Sequence, residues 1–137
     1  MMKKSIIVTV IAAFCISHCW SKGISLSVLT NGEWEMCSPD MSSYRKTTFL
    51  FTNTKMKEIA YFTKRNKTIA NEHYFYLSSN KEDTFDNSKV GKRQMGEYII
   101  EEYIDKATFW FLPIYVSDTE IHLMTKDDAV IKLKRKR

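Results

Sequence analysis

Glycine and proline are scarce, at four and two among 137 residues, which excludes a collagen-like or low-complexity chain. Only three cysteines are present. No two of them form a C-x-x-C pair, so a zinc site has no support. The three histidines, His18, His73 and His122, stand far apart and never at metal-ligand spacing. GxSxG, HExxH, P-loop and dinucleotide fingerprints are also absent. Glu101 and Glu102 are adjacent carboxylates, but neighbours on a strand point to opposite faces and cannot share a substrate. These absences disfavour an enzyme, and no catalytic residue, metal or cofactor is expected. His73 and His122 are expected to be surface or hydrogen-bonded core residues.

The net charge of +5 points toward nucleic acid only until its location is checked. Lys3 and Lys4 sit at the start, and Lys132, Lys134, Arg135, Lys136 and Arg137 crowd the end. Setting these seven of the 21 basic residues aside leaves 14 against 16 acidic ones, a body of about −2. The basic character is thus a tail, best read as an edge strand whose lysines discourage intermolecular pairing. No nucleic-acid partner is expected.

Met1-Met2-Lys3-Lys4 followed by the apolar run Ser5 to Ile16 has the charge, length and position of a secretory leader. The run is too short for a permanent span, which takes about 20 residues. Residues 1–21 are therefore assigned to a signal peptide and 22–137 to one domain. Ile16-Ser17-His18-Cys19 resembles a bacterial lipobox, in which Cys19 would be acylated. His18 stands where such motifs carry a small residue, and ordinary cleavage after Ser17, Cys19 or Ser21 is the alternative. Either way the protein is expected to be exported, as a periplasmic, outer-membrane-associated or secreted protein, touching a membrane only through a lipid on Cys19. Cys37 is expected to be buried as a small hydrophobe in the first strand, a disulfide to Cys19 being the alternative.

What the chain does have is alternation. Gly96 to Ile104, Ala107 to Val116, Thr119 to Thr125 and Ala129 to Arg135 are apolar-rich segments separated by polar interruptions of two to four residues. Such gaps suit hairpins and are too short for helical crossovers. Upstream, Gly32, Trp34 and Met36 alternate with two glutamates. Arg45 to Thr52 and Lys55 to Thr63 flank the turn pair Asn53-Thr54, and a further strand covers about Ile69 to Leu77. Pro113 predicts a bulge or bend, because it cannot donate to a ladder. Ser21 to Thr30 is expected to cross the barrel mouth, and Ser78 to Met95 to be a long loop with Phe85 and Val90 pinned to the core. The count is about eight antiparallel strands without a helix, an all-β chain best satisfied by closing into an up-and-down barrel that leaves no edge.

With Gly32-Glu33-Trp34 opening the first strand, the chain resembles the small lipocalin-like domains of exported bacterial proteins. The resemblance implies that Trp34 plugs the closed end beneath a basic residue, for which Lys132 and Lys134 are the candidates by position. Two functions follow. In one, a monomeric barrel binds a small apolar ligand with walls drawn from Trp34, Phe49, Phe51, Tyr61, Phe75, Phe109 and Phe111, in a cavity of about 300 Å³ or more. In the other, the lumen is filled and the surface meets an exported protein, for instance as a protease inhibitor acting through the loop Ser78–Met95. Staphostatin-like inhibitors have a comparable barrel, and Val90-Gly91-Lys92 is a faint analogue of their binding loop. Eight phenylalanines, seven tyrosines, three tryptophans and seven methionines could fill an eight-stranded barrel, which is just wide enough for its own side chains or one small ligand.

Overall fold

A computed structural model describes residues 23–37 and 45–136. The expected signal peptide, residues 1–21 with Cys19, lies outside the described residues.

In chain order the elements are β1 (Ile24–Ser25), helix α1 (Leu26–Thr30), β2 (Glu33–Cys37), β3 (Arg45–Phe51), β4 (Lys55–Phe62), β5 (Lys67–Ser78), β6 (Met95–Gly96), β7 (Tyr98–Glu102), β8 (Thr108–Val116), β9 (Glu120–Thr125) and β10 (Val130–Arg135). Eight of the strands form a closed antiparallel barrel in the order β10-β2-β3-β4-β5-β7-β8-β9. It is closed by β10 on β2, where Leu133 faces Met36 and Arg135 faces Trp34. The expected all-β barrel is thus the observed one, and the four C-terminal strands fall within the segments marked by alternation. The β8–β9 register shifts between Pro113 and Tyr115, the bulge that a proline without an N–H requires.

Residues directly opposite one another on paired strands share a face, so the registers identify the inner wall. Phe49, Phe51, Met56, Phe75, Leu77, Ile99, Phe111, Ile121, Leu123 and Leu133 point inward and are buried. Trp34 is 0% exposed and caps one end of this column. Its indole Nε1 donates to the Leu29 carbonyl at 3.1 Å, which fixes α1 beneath the barrel floor. Ser25 caps that helix by accepting from Val28 N at 3.2 Å. The segment expected across the mouth therefore seals the opposite end. It is held there by β1 pairing with β6 and by Leu26 N donating to Gln94 O at 2.8 Å. Gly96 in turn lets β6 lie against β5, because a Cβ there would stand 2.7 Å from the Ser78 backbone nitrogen.

The basic residue over the tryptophan is Arg135, which corrects the expectation for Lys132 and Lys134, both exposed. Arg135 shares the inward phase of Leu133 and Ile131, whereas the two lysines share the outward one. Its guanidinium lies 4.3 Å from the Trp34 ring centroid, and its Nε donates to the Asp118 carbonyl at 2.6 Å. One side chain thereby joins the floor to the β8–β9 turn.

The long segment between β5 and β7 covers the outside of the same end. Tyr76 faces outward beside Ile100, yet both are buried. Phe85 packs on the Tyr76 ring at 4.9 Å, and Tyr76 Oη and Ser78 Oγ donate to Glu82 at 2.8 and 2.6 Å. Lys89 completes the cluster at 2.9 Å from Glu82. Burial and the bond to Glu82 push the Tyr76 phenol up to about 12. Cys37, expected to be buried, is exposed at the end of β2, one step out of the inward phase of Trp34 and Met36.

Replacing Arg135 by lysine keeps the charge but loses the planar stack and the directed bond to Asp118. The expected cost is about 1–2 kcal/mol of stability, read as a lowered urea midpoint. An unchanged midpoint would mean that Trp34 holds the floor without it.

Candidate functional site

Between the floor and the opposite rim lies a cavity of about 190 Å³ lined by Met36, Phe49, Phe51, Met56, Glu58, Ile99, Glu101, Tyr103, Phe109, Phe111, Leu123, Thr125, Asp127, Ile131 and Leu133. The lining is graded. Phe51, Ile99, Leu133 and Phe111 at the floor side are buried. Met36, Glu58, Tyr103, Phe109 and Ile131 are half-buried, and Asp127 at the rim is exposed. The cavity is thus the upper part of the barrel core, left unfilled where the strands diverge from Trp34 toward the loops 103–107 and 126–129.

Of the seven side chains expected to line it, Phe49, Phe51, Phe109 and Phe111 do. Trp34 and Phe75 lie in the packed core instead. Tyr61 lies outside the barrel: it pairs with Lys46 and Thr68 on the outer face, is exposed, and donates from its hydroxyl to Asn66 Oδ1 at 2.9 Å. The period of two that places Ala60 inside must place Tyr61 outside. The volume also falls short of the expected 300 Å³.

The feature that pattern reading missed is Glu101. It is 1% exposed, lines the cavity, and neither carboxylate oxygen has a hydrogen-bond partner among the described residues. The register explains why. Glu101 stands between Phe75 on β5 and Phe109 on β8, neither of which can donate, and the backbone N–H groups around it are taken by the ladder. The nearest basic atom, His73 Nε2, is 3.9 Å from Oε1, beyond hydrogen-bond reach. His73 Nδ1 is likewise buried without a partner. Burial, reinforced by the Glu58 carboxylate on β4, pushes the Glu101 carboxyl up to about 8.

Around this group the wall is aromatic and acidic. The Tyr103 ring packs on Phe109 at 4.7 Å and on His73 at 5.2 Å, and burial with the nearby carboxylates raises the Tyr103 phenol to about 12. Every charged side chain lining the cavity, namely Glu58, Glu101 and Asp127, is a carboxylate. A lysine also stands at the rim: Lys126 Nζ lies 5.8 Å from the Phe109 ring centroid. Glu102, as expected, points away from Glu101 and meets Lys106 at 3.6 Å on the outer side. His122 is paired with Glu120 at 2.9 Å. No group of three or more metal-ligating side chains occurs among the described residues.

No family model, no curated protein and no solved structure matches the chain. The closed eight-stranded barrel is compatible with a lipocalin-like fold. The site must therefore be read from its own chemistry.

The raised carboxyl makes folding pH-dependent with a definite sign. Unfolded Glu101 loses its proton near 4.5 and folded Glu101 near 8, so in that window the native state holds the extra proton. Stability then falls as pH rises, by up to about 1.4 kcal/mol per unit, and this contribution levels off above 8. Urea unfolding of the wild type and Glu101→Gln should show the variant gaining on the wild type from pH 5 to pH 8. Parallel stability curves would show that Glu101 ionises in the folded state as it does in water.

Proposed function

We propose that this chain is an exported, lipocalin-like β-barrel binding module that takes one small apolar molecule in its lumen. The carrying observation is the cavity of about 190 Å³, floored and walled by Phe49, Phe51, Ile99, Phe111 and Leu133 and reaching the rim between Tyr103, Asp127 and Ile131. Its volume is close to that of the engineered cavity of about 150 Å³ that takes benzene and below the roughly 300–1,000 Å³ of sites for drug-sized ligands. The occupant that fits is one aromatic ring or a short alkyl chain.

Two further features support the reading. Arg135 over Trp34 reproduces the arrangement that the Gly-x-Trp resemblance implies for a lipocalin-like closed end, with Gly32 at a positive φ of 89° leading into the strand. The positive start and short apolar run before the barrel support export, with Cys19 as the point of lipid attachment if the lipobox is used. Segment 79–95 spends its contacts on the barrel itself, through Glu82, Phe85 and Lys81, whose Nζ lies 5.6 Å from the Trp110 ring centroid. That argues for the lumen rather than the loop as the working surface.

Isothermal titration with a panel of single-ring aromatic and short alkyl compounds should find saturable one-to-one binding. Ile131→Trp, which places a large ring at the half-buried rim, should weaken it by about tenfold or more, equivalent to about 1.4 kcal/mol. A panel with no binder, or binding indifferent to Ile131→Trp, would remove the lumen from consideration.

A further inference from the structure

A buried carboxylate without a hydrogen-bond partner is costly, and the cost persists unless something offsets it. Glu101 is such a group, set into the wall of the cavity rather than into solid core. Its neighbours on the adjoining strands are Phe75 and Phe109, and the other charged groups lining the lumen are carboxylates too. This deepens the lumen-binding reading and rests on it: the cavity accepts an apolar body, and every charged group on its polar side is a carboxyl group, set beside the hydroxyls of Tyr103 and Thr125.

We infer that the ligand is a small organic cation, a body of about one aromatic ring or its alkyl equivalent carrying a protonated amine, with the ammonium group bound by Glu101. An ammonium supplies the donors that both Glu101 oxygens lack, and a charge-assisted bond in a water-poor site is among the stronger polar contacts available. The Phe109 and Tyr103 rings beside it add cation–π attraction. A carboxylate or phosphate ligand would instead meet the Glu58 and Asp127 carboxylates, which disfavours anionic amphiphiles such as fatty acids.

Proton balance gives a second consequence. The groups facing Glu101 are His73 from β5, Glu58 from β4, Tyr103 beyond the end of β7, and Asp127 at the rim. Because the carboxyl holds its proton up to about pH 8, an alkylammonium binding near neutral pH converts it to the carboxylate and releases that proton to solvent. Affinity should therefore rise with pH up to about 8.

The test compares 2-phenylethylamine, 2-phenylethanol and phenylacetate by isothermal titration of the wild-type domain and Glu101→Gln, repeated in buffers of different ionisation enthalpy. The amine is expected to bind wild type about tenfold or more tighter than the alcohol, with phenylacetate weakest. Amine binding near pH 6.5 should release close to one proton, and alcohol binding none. Glu101→Gln should abolish both the preference and the proton release. If the alcohol binds wild type as well as the amine, the cation assignment falls and the apolar lumen stands. An amine preference surviving Glu101→Gln also overturns it, moving the selectivity to Glu58 or Asp127. If neutral single-ring compounds and the amine all fail to bind, the lumen reading fails first.

Discussion

Everything in this molecule depends on the last strand finding the first. A sheet of seven strands ending in β9 would leave two long edges, each a row of unsatisfied N–H and C=O groups open to intermolecular pairing. Pairing of β10 with β2 removes both edges and brings Arg135 onto Trp34. The same contact carries the Trp34 indole to Leu29 and the Arg135 guanidinium to Asp118. Floor helix, first strand, last strand and the β8–β9 turn are thus tied through two side chains. Apolar packing supplies the bulk of the stabilisation, but this junction decides that the sheet closes and which end becomes the floor.

A sealed floor makes the two ends of the barrel unequal. At the Trp34 end α1, β1, β6 and segment 79–95 consume the available apolar surface, including the outward Tyr76 and Ile100. At the other end the side chains thin out and the lumen persists. Glu101 sits in that lumen at an energetic cost, since a carboxyl desolvated between phenylalanines is stable only in its neutral form or with a partner. A methyl-bearing side chain would pack there without that cost, and so the carboxyl stands out as the group whose presence the fold alone does not explain.

Much of the architecture was legible in residue order. Hairpin-length gaps after Ile104, Val116 and Thr125 marked the C-terminal strands, Pro113 marked the bulge, and Trp34 with Met36 marked the inward phase of the first barrel strand. The lining was legible in part. Phe109 and Phe111 follow from alternation in β8, and Phe49 and Phe51 from alternation in β3. Tyr61 was misplaced because Ile59-Ala60-Tyr61-Phe62 is apolar at four consecutive positions and its phase is set only by the pairing of Ala60 with Thr47. Glu101 was hidden for the same reason: Ile99 and Ile100 are both apolar, and nothing local says which of them faces in.

The sequence by itself determined that the chain is all-β, antiparallel and short-looped, since side-chain period and turn chemistry are local properties of consecutive residues. It also determined the proximity of Glu101 and Glu102 and the opposition of their faces. Only the tertiary structure decided which of the two carboxylates enters the lumen and that Arg135, rather than a neighbouring lysine, covers Trp34. It also decided that residues 79–95 wrap the floor and the outer wall. Those choices depend on register between strands distant in sequence, where a shift of one residue exchanges inside for outside along the whole strand.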